Sequence, residues 1–163
     1  MVDVNATKGR SLAAELGSSV VFIETDVSSW EAQVKLFEQA YEWSGYRFDF
    51  LASNAGASDE RNLTEGLLEE GGVLKRPDYK PIETNLLGSI YAIQLFAYYI
   101  SKSKSSSGGK IVITSSGAGQ FPVPSHPIYS ASMHGVSSLL VLQNLHSTND
   151  IDCWSDKINW TGL

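Results

Sequence analysis

The sequence predicts an α/β fold built on a parallel sheet. Three runs, Val20-Val21-Phe22-Ile23 and residues 48–53 and 110–114, are apolar without the polar alternation of a half-wet sheet. Segments with apolar residues at helical spacing separate them. Strands of that kind, alternating with helices, indicate a parallel sheet covered on both faces. Ligands of such sheets gather at the carboxyl ends of the strands, here Asp26-Val27, Asn54-Ala55-Gly56 and Ser115-Ser116.

The elements follow in order. Residues 7–16 read as a short helix with Leu12, Ala13 and Leu16 on one face and Gly17 as its stop. The first strand covers 20–24. Ser28 or Ser29 caps a helix over 29–42, where Trp30, Val34, Phe37, Ala40 and Tyr41 recur at helical spacing until Gly45. The second strand covers 48–53. Residues 57–79 are polar and glycine-rich, a long excursion with at most one helical turn. A helix over 81–102 is apolar on most sides and calls for burial on more than one face. A serine-rich linker leads to the third strand, 110–114. A loop containing three prolines then leads to a helix over 129–145. The remainder, 146–163, reads as a divergent polar tail without strand periodicity. The domain expected is 1–145.

Composition narrows the function classes. The chain has 163 residues, 42% of them apolar, which supports one domain with a real core. A net charge of −6 disfavours nucleic acid and anionic membranes as partners. No segment has the roughly 18 apolar residues of a membrane span. Cys153 stands alone, so there is no internal disulfide and no multi-cysteine metal site. The expectation is a cytoplasmic chain with no metal.

Two local features point to chemistry. Asn54-Ala55-Gly56 ends a strand with a residue that lacks a Cβ, so backbone can approach a ligand closely there. The same tripeptide also reads as a plain turn. Asn85 is an amide inside an apolar helix, where it needs a partner.

Taken together, Val2-Asp3-Val4-Asn5, Thr25-Asp26-Val27, Ser53-Asn54-Ala55-Gly56, Thr84-Asn85-Leu86, residues 109–116 and residues 127–135 resemble the short-chain dehydrogenase/reductase family. The resemblance is to its 15-hydroxyprostaglandin dehydrogenase-like branch, in a form common in filamentous fungi. It covers roughly residues 1–145. It implies an incomplete Rossmann-like parallel sheet flanked by helices, and NAD(P)-dependent interconversion of an alcohol and a ketone on a small apolar substrate.

The resemblance also implies roles. Asp3 would hold the adenosine ribose, or be an ordinary turn aspartate. Asp26 and Val27 would hold the adenine, or Asp26 would be a helix-entry acid near a positive dipole end. Asn54, Ala55 and Gly56 would line the cofactor. Asn85 would kink its helix and hold a water of a proton relay, or be satisfied by a neighbouring carbonyl. Ser116 and Tyr129, thirteen residues apart, match the catalytic serine and tyrosine, the one polarising a carbonyl and the other passing a proton. His126 would contact substrate, or face solvent from a loop.

The pattern departs from the family in three places. The glycine-rich phosphate turn that opens the family does not occur. Met133 stands where the family has a lysine, four residues after Tyr129, and has neither charge nor donor. The strand, Pro-Gly loop and lid expected after 145 are not legible. Redox activity is therefore expected to be impaired. The alternatives are a cofactor-free isomerase, dehydratase or cyclase in the old pocket, a non-catalytic pseudo-subunit, or a fragment without separate function. The missing strands are expected to separate the strand at 20–23 from the strand at 48–53. The expected association is a homodimer, or a mixed assembly with a relative, through helices 81–102 and 129–145.

Overall fold

The computed structural model describes the chain apart from residues 60–62, 65, 69, 104–107, 144–150 and 154–163, and gives backbone alone for 140–143 and 151–153. The elements are β1 (Val2–Asp3), α1 (Ala6–Leu16), β2 (Ile23–Glu24), α2 (Trp30–Trp43) and β3 (Phe50–Ser53). A π-helical turn (Ile82–Leu87) then runs into α3 (Gly88–Lys102), followed by β4 (Gly109–Ile113), a short 3-10 turn (Gly117–Gly119), α4 (Pro127–Gln143) and β5 (Ile151–Cys153).

Every strand pairing is parallel. Val2 lies opposite Ile23 in the β1–β2 pair, Leu51 opposite Ile111 in β3–β4, and Ile111 opposite Cys153 in β4–β5. The strands form two separate sheets, β1-β2 and β3-β4-β5. The expected separation of the strand at 20–23 from the strand at 48–53 is thus present.

Local chemistry explains the element ends. The Asn5 side chain accepts the Lys8 N–H at the start of α1, and Ser29 accepts the Ala32 N–H at the start of α2. Gly45, with φ 71°, lets the chain leave α2. Gly9 has a packing role: a Cβ there would sit 2.1 Å from the Phe22 ring, so α1 can lie on β2 only with glycine at that place.

The core lies between one sheet face and helices α2, α3 and α4. It joins Leu36 and Phe37 to Ala92, Leu95 and Phe96, and these to Ile111, Ile113 and Val136. Val2, Ile23 and Leu51 pack on the same cluster, so both sheets share it. An aromatic group of Phe37, Tyr41, Phe48, Phe96 and Tyr99 extends it, with ring centroids between 4.8 and 6.2 Å apart. Buried Gln33 links the helix layer, donating from Nε2 to the Val27 carbonyl at 2.6 Å and the Gly88 carbonyl at 2.8 Å.

Four expectations need correction. The stretch after 145, read as lacking a strand, contributes β5. Three residues are too few to show a period, and the pairing with β4 supplies what the pattern does not. The strand at 20–24 is regular only over Ile23–Glu24, because its partner β1 is two residues long. The helix over 81–102 starts as a π turn, with the Gly88 N–H reaching the Glu83 carbonyl five residues back. Among the described residues no helix covers the second face of the β3–β4 sheet, where Phe50 is 57% exposed and Val112 37%, while α1 packs on β1. The end of the last helix at 144–145 and most of the tail lie outside the described residues.

Candidate functional site

Four segments meet at the carboxyl ends of β3 and β4. Thr114, just past β4, donates its hydroxyl to Asn54 Oδ1 at 2.8 Å and so joins the two strand ends. Ser116 follows, its Oγ accepting the Ala118 N–H at 3.2 Å, which starts the 3-10 turn. Ser115 Oγ lies 2.8 Å from Ser137 Oγ and holds this loop against α4.

Tyr129 sits in the first turn of α4. That helix starts at Pro127, and its cap comes from far away in sequence. Asp59 accepts the Ile128 N–H at 3.0 Å and the Tyr129 N–H at 2.8 Å, one on each carboxylate oxygen. A carboxylate at a helix N-terminus satisfies free N–H groups and complements the dipole. Ser130 Oγ accepts the Val123 N–H at 2.9 Å and steadies the preceding loop.

Asn85, 2% exposed in the π turn, is a bracket behind the site. Its Oδ1 accepts the Ala57 N–H at 2.7 Å. Its Nδ2 donates to the Ala57 carbonyl and to Ser132 Oγ, both at 2.9 Å. Gly56 lies beside this bracket, where a Cβ would stand 3.4 Å from Asn85 Oδ1, an ordinary contact. Ser132 in turn donates to the Tyr129 carbonyl at 2.7 Å. The amide thus ties the 54–57 loop to the turn that carries Tyr129, and it has the neighbouring carbonyl partner that the sequence left open.

These segments line an open cleft of about 560 Å³. Asn54, Ala55 and Gly56 form one wall, Ser116 and Ala118 another, and His126, Tyr129 and Met133 a third. Among the described residues, no Asp, Glu, Lys or Arg lines it. Met133 is 6% exposed, its side chain packed into the wall. His126 is half-buried, with Nδ1 2.8 Å from Ser125 Oγ.

The adenosine-side candidates do not line this cavity. Asp3 Oδ1 accepts the Asn5 N–H at 2.7 Å in the turn that opens α1. Asp26 Oδ1 accepts both the N–H and the hydroxyl of Ser28, at 2.9 and 2.7 Å. Those two bonds, the hydroxyl's first, hold the Asp26 carboxyl below its ordinary pKa. The Val27 side chain faces α3, where a Cβ on Gly88 would stand 3.3 Å from its Cγ2. Sequence reasoning missed Asp59, Ser132, Thr114 and Gln33. Asp59 lies in the long excursion, and no local pattern links it to a helix that begins 68 residues later. Among the described residues no cluster of metal-ligating side chains is present.

Parallel strands alternating with helices, with a serine after one strand and a tyrosine in the following helix, define a Rossmann-like protein. A family model for the short chain dehydrogenases matches residues 1–151, and the chain belongs to that family. It is 33% identical over 136 residues to the short-chain dehydrogenase/reductase prx4 of Penicillium rubens, covering 83% of this chain and 39% of that protein. It is 30% identical over 141 residues to human 15-hydroxyprostaglandin dehydrogenase [NAD(+)], covering 83% of this chain and 47% of the human one. Among solved structures, a short chain dehydrogenase/reductase from Burkholderia phymatum in complex with NAD superposes with a TM-score of 0.76 at 25% identity, over 93% of this chain and 53% of that one. The chain therefore spans about half or less of the length of these relatives.

Proposed function

We propose that the cavity at Tyr129 takes a small, uncharged, oxygenated substrate of the alcohol or ketone class, and that hydride transfer with NAD(P) is impaired in this chain. One observation carries the reading: Met133, a buried thioether, fills the wall where the family resemblance calls for a cation. A wall to which the described residues contribute no charged side chain favours a neutral ligand.

The fit to a dinucleotide is divided. Asp3 and Asp26 each have one carboxylate oxygen outside the turn bonds described above, and exposed Gly56 allows close backbone approach. These suit the adenosine end. The nicotinamide end does not fit, because Met133 offers neither charge nor donor. No redox step is therefore assigned to this chain. Its own residues support proton chemistry. The Tyr129 hydroxyl passes a proton to or from the substrate oxygen, and Ser116 donates a hydrogen bond that polarises the carbonyl. Asn85 ties the 54–57 loop to the turn that carries Tyr129. A placed acid of this kind is worth about 10²–10⁴ in rate.

The same reading places the chain in the cytoplasm, in a homodimer or a mixed assembly with a relative through 81–102 and 129–145. Support for assembly comes from α3, which keeps Tyr98 exposed beside its buried Leu95 and Phe96. No described helix is long and apolar enough to cross a membrane.

Titration calorimetry with NAD and with NADP tests the cofactor reading. The expected result is no binding in the micromolar range, and micromolar binding of either nucleotide to the unaltered chain overturns it. For the site, Tyr129→Phe is expected to abolish any catalysis found, and an unchanged rate moves the chemistry elsewhere.

A further inference from the structure

Strand β2 uses only one of its two edges. The Met1 ammonium donates to the Val21 carbonyl, Ile23 N–H donates to the Met1 carbonyl, and Thr25 N–H to the Asp3 carbonyl. Residues 21, 23 and 25 thus turn their peptide groups toward β1. In a parallel strand the alternate residues turn theirs the other way. The N–H and C=O groups of Phe22 and Glu24 therefore face outward, and no hydrogen bond among the described residues occupies them.

Along that free edge runs a groove of about 550 Å³ between residues 21–25 and one flank of α2. The flank carries Ala32, Leu36, Gln39 and Trp43, at helical spacing. Trp43 is 54% exposed, a large aromatic with nothing on its outer side.

We propose that this edge and flank form a two-fold interface between copies of the chain, pairing β2 with β2 in antiparallel fashion about Ile23. Three features make the surface self-complementary. With the axis at Ile23, Phe22 of one copy lies opposite Glu24 of the other, so their outward peptide groups bond reciprocally, giving about four main-chain hydrogen bonds. The same axis sets the α2 flanks antiparallel. An alignment centred between Phe37 and Glu38 puts exposed Trp43 over Ala32 of the partner subunit, large against small. Charge is compatible as well: Glu24 carries its own cation, Arg10, at 3.2 Å, and the other two charges lining the groove, Glu31 and Lys35, are opposite in sign. Ile23 stays turned to the core, and the Phe22 ring stays on Gly9 of α1, so pairing requires no repacking.

Sedimentation equilibrium at micromolar concentration on the unaltered chain, Glu24→Pro and Trp43→Lys tests this. Proline at 24 removes an N–H that already faces the free edge, a place where strands tolerate proline. Trp43→Lys changes an exposed side chain and leaves the fold to be verified by circular dichroism. The expected result is a particle mass in the unaltered chain twice that of each variant, with dissociation at least tenfold easier in Trp43→Lys. Any further contact through α3 or α4 multiplies all three masses alike and leaves that ratio. Equal masses for the unaltered chain and a folded Trp43→Lys overturn the proposal, even if Glu24→Pro does not fold.

Discussion

The two faces of the β3–β4 sheet have the same chemistry and opposite surroundings. On one, Ile111 and Ile113 are buried beneath Phe96, Leu95 and Val136. On the other, Phe50, Ala52 and Val112 look outward, and no helix of the described residues lies over them. Cross-strand registry puts Phe50 beside Lys110 and Ala52 beside Val112, so these residues form one continuous surface. Residue type alone does not separate the faces. What separates them is which helix lies where: α3 and α4 serve one side, while α1 stays with β1 and β2.

The largest expected effect tests that contrast directly. Phe96→Ala should lower stability by about 3–5 kcal/mol, as large-to-small changes in a packed core do. Phe50→Ser, on the open face, should stay within about 0.5 kcal/mol and reduce self-association, since it removes an exposed apolar group. Urea unfolding of both variants is the measurement. Comparable losses in the two would mean the open face is covered in solution.

The strands were legible because uninterrupted apolar runs report burial. They report it without saying by which element, and so the sequence predicts two covered faces where one is found. Asn85 was legible as an amide in an apolar helix. Its three bonds were not, since Ala57 and Ser132 come together only through tertiary contact. The same holds for Asp59, which caps α4 across the excursion. Tyr129, Ser116, His126 and the 54–56 turn were all found by motif, and they line one cavity. Asp3, Asp26 and Val27 were found the same way, and they lie on the other sheet. Strand β5 escaped because a parallel neighbour, rather than its own sequence, makes it a strand.

An intermediate effect is expected at Asn85. Asn85→Leu leaves the Ala57 peptide and the Ser132 hydroxyl without their partner, a cost of about 1–3 kcal/mol. Hydrogen exchange at Ala57 should speed up in proportion. Protection equal to that of the unaltered chain would show that another group holds the loop.

The smallest effect concerns pH. The Asp26 carboxyl has its pKa held down in the folded state by Ser28. A depressed acid adds stability that is present above its unfolded pKa, about 3.9. That contribution is lost as pH falls through the lower folded value. Asp26→Asn should therefore lower stability slightly at neutral pH, where the contribution is present, and flatten the acid limb of the stability profile. An identical acid limb in both proteins would remove Asp26 from the account.

The π turn at Ile82–Leu87 has a consequence for how this helix tolerates changes in length. Five-residue spacing between the Glu83 carbonyl and the Gly88 N–H means that one extra residue is absorbed within a single turn. The flanks before and after it keep their phase, so Pro81 and Phe96 both stay buried. The segment holds one residue of slack. Shortening the chain by Thr84 should let the turn relax to ordinary α-helix while Ala92, Leu95 and Phe96 stay on the core side. What would be lost is the bulge that turns Asn85 toward Ala57, so the architecture and the site could be separated by a one-residue deletion.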